Sequence, residues 1–477
     1  MRRRGFLAAA ASIAATVSCG SDEAVATAPT DEVDDLAKVL DTSTKKVALA
    51  EAARRIRAGM SAEKVLIATF VAGIRTLRPD PIGFYYHAVL QVESLLAVAA
   101  KLTRDEAAVV ALTAVGGFKQ SQALEVDPSW QLGSTTAAMP ADPVAQLDSA
   151  LNARDAARAD IAVIALHRAG RQVDAIEALI TYGSRGTANL GHEMIHVINS
   201  WRLLQRGNLS RAEDVLRALS LGIVTPPADD TEPVYLTNRM KLASVRKDWP
   251  DGKADPAATL ELLAVLRAGT GREASDKAIE LLTRGVGPTS LWNAILAGAA
   301  EQLWRSTPGT RIVGVHAVTA ADALLEASRV STGPNTKLLC LLQGAAWIPA
   351  NRAEGARRRG TVPEGTETID AIAPMPSTLD DVFAEKDPFL RGKRIVGYLA
   401  TGTADALFAR MRPLVPHAGE EHYSKLFDSI TRHEAALDAR VRGPFIASIA
   451  FHMHVGAEPD SSRYQDALQA LSVTPPS

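Results

Sequence analysis

Apolar residues recur every three to four positions along most of the chain, in runs that hold few β-branched and few aromatic residues. That period draws one apolar stripe along a helix, and it does not match the strict alternation of a half-buried strand. The stripe runs over residues 36–77 until Pro79 and Pro81 interrupt it, and a second apolar segment covers 83–102. Thr103-Arg104-Asp105-Glu106 then has the form of a capping box that opens the next helix. Two helices are expected over 155–182 around Ala169-Gly170, and another over 189–205 stopped by Gly207. A further helix is expected to be capped by Ser210 and Glu213. Periodicity resumes at Leu260 and runs to Trp347, with final helices near 403–412, 422–440 and 444–454. Residues 224–257 and 352–387 keep no sustained period and read as irregular connections. The expected fold is all-α, a multi-helix bundle or orthogonal helical array around a central histidine-lined cavity. An N-terminal half (36–223) and a C-terminal half (258–477) form one domain. With 477 residues, 47% of them hydrophobic, the chain can bury a large core.

The start of the chain reads as targeting. Arg3-Arg4-Gly5-Phe6-Leu7 has the twin-arginine pattern, and the apolar stretch behind it is too short to span a bilayer. Thr16-Val17-Ser18-Cys19 has the form of a lipobox, so residues 1–18 read as a signal peptide and Cys19 as a lipidation site. The small, acidic segment 19–35 reads as a tether. The expectation is export by the twin-arginine route to the cell envelope, with membrane contact only through the lipid at Cys19. That route carries folded proteins, often with a cofactor already inserted, which directs attention to metal ligands. Formal charge is −2, without the basic excess a nucleic-acid partner demands. Only two cysteines are present, Cys19 and Cys340, which excludes a disulfide scaffold and any multi-cysteine metal site. Cys340, amid leucines, reads as a buried small hydrophobe. Trp201, Trp292, Trp304 and Trp347 read as core.

Chemistry is left to histidines and carboxylates. His87-Ala88-Val89-Leu90, His196-Val197-Ile198-Asn199 and His316-Ala317-Val318-Thr319 are nearly the same word, each on an apolar helix. Imidazoles on apolar faces need hydrogen bonds or a shared metal ion. Gly191-His192-Glu193-Met194-Ile195-His196 adds the pattern HExxH, in which two histidines one turn apart face one ion and a glutamate serves as base. The zinc metallohydrolase reading would make Glu193 catalytic and Glu213 the only placed third ligand. His422 and Lys425 share a helical face. Lys425 either faces solvent and pairs with Glu421, or is carboxylated and becomes an oxygen ligand.

Taken in order, His87, Gly-His192, the run Val315-His316-Ala317-Val318-Thr319-Ala320 and His422-x-x-Lys425 resemble the questin oxidase-like family. The chain is also similar to a group of bacterial proteins exported by the twin-arginine route. The likeness covers about residues 84–454. It implies an all-helical non-haem iron oxygenase acting on an aromatic, quinone-like or other small organic substrate, with iron held by four histidines and a carboxylated lysine. His87, His316, His422 and Lys425 match position by position. The second element departs, because the family often has a histidine seven residues after the first. Here that place is Asn199, and His196 stands at four, so His192, His196 or both are candidate ligands. Tyr86 and Tyr423 adjoin candidate ligands and are expected to orient them or a bound oxidant. Zinc is the alternative metal, and a metal-free helical protein that binds a ligand or partner is the third class.

Overall fold

Helices begin where the sequence supplies a cap. Thr103 and Glu106 bond reciprocally to open the Arg104–Leu124 helix, and Thr270 and Glu273 do the same for Gly271–Thr283. Proline stands in the first turn of Pro256–Ala268, Pro288–Trp304 and Pro334–Arg359, where no N–H is lost. The computed structural model describes residues 31–186, 189–206, 211–226, 232–361, 363–456 and 458–472. Among these the protein is all-α, helices and 3₁₀ turns without a strand. The leader, Cys19 and Ser210 lie outside the described residues. No described helix is long and apolar enough to cross a membrane.

The buried apolar residues form one contiguous cluster from Leu36 to Ala467, so the two halves share a core. Trp304 and Trp347 lie fully inside it, and their indole N–H groups donate to the carbonyls of Pro444 (2.9 Å) and Ala317 (3.1 Å). The His192–Gln205 helix of the first half packs on Arg311–Val330 of the second, and Glu421–His433 packs on both Arg311–Val330 and Val92–Ala99.

Three segments differ from expectation. The stretch 224–257 contains a helix, Glu232–Lys241, and 3₁₀ turns at Leu242–Ser244 and Trp249–Asp251. That helix is held by polar contacts rather than by a wide apolar stripe: buried Asn238 donates to Gln343 (2.8 Å) and Ser275 (3.0 Å). The Pro334–Arg359 helix continues through Pro349, so Arg357, Arg358 and Arg359 are helical rather than irregular and pair with Glu354 and Glu364. Residues 444–454 are the end of Ala439–Ala447 and a 3₁₀ turn, Ser448–Phe451.

A buried ion network joins the elements around the centre. Glu93 takes Arg202 (2.9 Å) and Arg206 (2.7 Å). Arg202 reaches Asp428 (3.4 Å), and Arg432 bridges Asp428 and Asp322. Three carboxylates meet three guanidiniums, so the charges balance and each ion has a partner.

Candidate metal centre

His87 opens the short helix His87–Leu90, entered through the 3₁₀ turn Phe84–Tyr86. His192 and His422 stand at the starts of His192–Gln205 and Glu421–His433, and His316 lies in the second turn of Arg311–Val330. Two glycines permit the convergence. Gly191 sits at φ 75°, and a Cβ there would come within 2.5 Å of Ala320 Cβ, so only glycine lets the start of the His192 helix approach the His316 helix this closely. Gly83, at φ 120°, lies over the His192 ring, where a Cβ would fall 3.1 Å from Cε1.

The imidazoles of His87, His192, His316 and His422 come together, all buried, with one ring nitrogen from each within 4.8 Å of the others. Ring centroids stand 4.2 Å apart for His87–His422, 4.6 Å for His192–His316, and 4.8 Å for both His87–His192 and His316–His422. Burial holds all four below the ordinary histidine value, and the neighbouring Lys425 pushes in the same direction. They are neutral rings.

Their outer hydrogen bonds fix which nitrogens point inward. His192 Nδ1 donates to the carbonyl of Asn189, and His316 Nδ1 to that of Ile312 at 2.7 Å. His422 Nδ1 donates to the carboxylate of Glu420. A carbonyl or carboxylate only accepts, so Nδ1 carries the hydrogen in all three and Nε2 is a bare lone pair. His192 Nε2 and His316 Nε2 face each other at 2.9 Å, and buried His422 Nε2 has no hydrogen-bond partner among the described residues. Lone pairs brought this close repel unless a cation lies between them. Burial disfavours a proton there, and about 3 Å is the separation of neighbouring nitrogens on one ion bound at ~2.1 Å. The residues fit a metal ion.

Lys425 is buried, and its Nζ lies 2.8 Å from His87 Nδ1. Burial lowers its ammonium to about 8. The surface pairing with Glu421 is not formed; Glu421 pairs with Arg463 instead. Glu420, the N-cap of the Glu421–His433 helix, is the partner that the sequence did not single out. It caps the helix through the amides of His422 and Tyr423, holds His422 Nδ1, and accepts from His452 Nε2 at 2.5 Å. Burial opposes its ionisation, but the hydrogen bonds from the His422 and His452 imidazoles hold its carboxyl well below the usual range. The only available signal was an acid two residues before a candidate ligand. His454 lies nearby, its Nδ1 accepting from the Gly456 amide.

His196 stands outside the four-histidine group, although it lies one turn from His192. Its Nε2 meets the Tyr86 hydroxyl at 3.3 Å and its Nδ1 meets Ser200 Oγ at 3.2 Å. Glu213, the third ligand an HExxH site would need, pairs with Arg168. Its helix, Ala212–Val224, starts at Arg211 without a side-chain cap. Glu193 accepts from Asn189 Nδ2 at 3.3 Å and, with Asn189, Tyr182 and Arg185, lines a cavity of about 230 Å³. Tyr423 is fully buried with no hydrogen-bond partner for its hydroxyl among the described residues, and Tyr86 is turned to His196. A second group of ligand-type side chains, Asp322, Glu326 and His433, lies further along the helices that carry His316 and His422.

Comparison of the chain with family models, with curated proteins and with solved structures gives no match. The functional reading therefore stands on the geometry.

Proposed function

We propose that the protein is a non-haem iron oxidoreductase whose ion is held by His87, His192, His316 and His422, and that it acts as an oxygenase on a small organic substrate. The observation that carries this reading is the bare, buried pair of Nε2 atoms at 2.9 Å, with the unpartnered His422 Nε2 beside it. When bound, iron supplies one-electron redox chemistry and a place for dioxygen. The chain contributes the rest. The Asn189 and Ile312 carbonyls and the Glu420 carboxylate lock the ligand rings, and the surrounding apolar helices exclude water. The 230 Å³ cavity is lined by Asn189 and Glu193, which flank His192 in the chain, and is assigned as the side from which substrate approaches, although none of the four ligand histidines lines it.

Four neutral imidazoles leave the charge of the ion unbalanced. Lys425 answers this if its amine, already lowered to about 8, takes up carbon dioxide as a carbamate and presents oxygen in place of an ammonium. The family resemblance supports the same assignment. The leader pattern and Cys19 support export and lipid anchoring at the cell envelope.

Elemental analysis of the full chain, purified without added metal, tests the reading. One iron per chain is expected, with loading improved by bicarbonate in the native protein but not in Lys425→Arg. Zinc in place of iron returns the site to hydrolytic chemistry, and neither metal returns it to a binding role.

A further inference from the structure

Tyr86 and His196 are excluded from the metal group, yet they are built against it. Tyr86 immediately precedes the ligand His87, and His196 follows the ligand His192 by one helical turn. The phenol is 0% exposed and the imidazole 1%, and the rings meet edge-on with centroids 5.1 Å apart. The Tyr86 hydroxyl has His196 Nε2 at 3.3 Å, so a buried O–H that must be satisfied donates there. His196 Nδ1 faces Ser200 Oγ at 3.2 Å and the ring N–H also finds the Ala218 carbonyl; with the Tyr86 hydroxyl donating to Nε2, the ring hydrogen is assigned to Nδ1. Gly222 makes room for the ring: a Cβ there would lie 3.3 Å from His196 Cδ2 and 2.5 Å from Ile82 Cδ1. Among the described residues no other tyrosine hydroxyl meets an imidazole nitrogen. Tyr85 bonds the Asp80 carbonyl and Tyr182 bonds Asp148, Tyr235 neighbours Arg239, and the Tyr423 hydroxyl has no hydrogen-bond partner among the described residues.

A buried phenol hydrogen-bonded to one neutral imidazole has one route for its proton and no solvent to share it with. We propose that Tyr86 is a redox-active tyrosine, delivering one electron to the oxidised ion of the four-histidine centre while its proton crosses to His196 Nε2. The phenolic O–H bond breaks, leaving a neutral tyrosyl radical. His196 becomes an imidazolium, and the ion is reduced by one unit, its oxidised form having been produced by dioxygen. Return of the electron and proton restores the pair. This assignment rests on the iron reading.

The test uses the full chain loaded with ferrous iron, exposed to dioxygen and freeze-quenched for electron paramagnetic resonance, with metal content measured on the same samples. A tyrosyl signal is expected that narrows when the protein carries ring-deuterated tyrosine. Tyr86→Phe, which removes only the hydroxyl, should abolish the signal with iron content unchanged. His196→Gln keeps a polar group of similar reach but cannot take the proton, and it should reduce the radical yield at least tenfold. A signal undiminished in Tyr86→Phe, or no tyrosyl signal from iron-loaded native protein, overturns the inference alone. A chain that takes up no iron overturns the metal reading and this inference with it.

Discussion

The Arg311–Val330 and Glu421–His433 helices run side by side in the same direction and carry two clusters of metal-ligating side chains. The first couples His316 and His422 to His87 and His192; the second couples Asp322, Glu326 and His433. By residue type the second is the better site for a hard cation, since it has carboxylates. Its charges are already met, however. Asp322 accepts from Arg432 (2.6 Å), Ser429 (2.8 Å) and His433 (2.6 Å), and Glu326 pairs with Arg329. In the first cluster no carboxylate enters, and the inward nitrogens of His192, His316 and His422 find lone pairs or nothing. Convergence of ligand types is therefore a poor guide to metal binding; what distinguishes the clusters is whether hydrogen bonds from the protein already satisfy the converging atoms.

The largest expected effect separates the two clusters outright. His316→Ala should leave the chain with essentially no bound metal, whereas Asp322→Asn should keep the native stoichiometry. Metal analysis of both variants checks this, and retention by His316→Ala would put the ion elsewhere.

The second effect runs the other way and falls on stability. Removing one carboxylate from a buried ion network leaves it with an excess cation, so Asp322→Ala should cost about 3–5 kcal/mol, read from denaturant unfolding. The pH dependence follows from the same carboxyl. Burial opposes its ionisation, but Arg432 and the His433 hydrogen bond hold its folded value well below the ordinary 3.8. A depressed acid contributes stability that is present above its unfolded value and is lost as pH falls through the folded one. Native protein should therefore lose up to about 1.4 kcal/mol per pH unit from this group below pH ~4. Asp322→Asn should show a shallower acid limb, and an unchanged limb would mean that the network does not set acid stability.

How far the sequence disclosed this contrast varies by residue. Helices with side-chain caps were legible, as at Thr103–Glu106, and so were His87 and His316, because imidazoles on apolar faces are costly without a purpose; His422 and Lys425 were singled out through the family resemblance. His192 and His196 were not separable. A spacing of four places both on one helical face, and the choice between them comes from elsewhere in the chain: Tyr86 claims His196, while Gly191 lets His192 approach the Arg311–Val330 helix. Glu232–Lys241 was hidden because its buried contacts run largely through the Asn238 amide rather than an apolar period. The run to Arg359 was hidden because Pro349 resembles a stop. Glu420 was hidden because a carboxylate at a helix start already has an ordinary explanation.

A third, smaller effect sharpens the first cluster. Glu420→Gln keeps the size of the side chain but gives His422 Nδ1 a neutral acceptor in place of an anion. Such changes behind a ligand cost roughly 10–100-fold in metal affinity. Competition with a chelator of known affinity should show that loss, with full stoichiometry recovered at saturating metal. Unchanged affinity would mean that the carboxylate caps the helix and does nothing for the ion.

The smallest expected effect is at Glu193, and it bears on what the HExxH pattern means in this chain. In a zincin that glutamate is the base for metal-bound water, and removing its charge abolishes turnover while the metal stays. Here His196 is occupied by Tyr86 and Ser200, so the two histidines of the pattern do not share an ion, and Glu193 accepts instead from the amide of Asn189. Asn189 is the residue whose carbonyl holds His192 Nδ1. Glu193→Gln retains an oxygen for that amide and removes only the charge, so metal stoichiometry should be native. Metal affinity should also fall less than in Glu420→Gln, because the Glu193 carboxylate meets the ligand ring through an intervening amide rather than directly. Parallel chelator titrations of the two variants decide the order. A larger loss at Glu193 than at Glu420 would make Glu193 the carboxylate that supports the centre, and the HExxH helix would regain the chemical role that the placement of His196 takes from it.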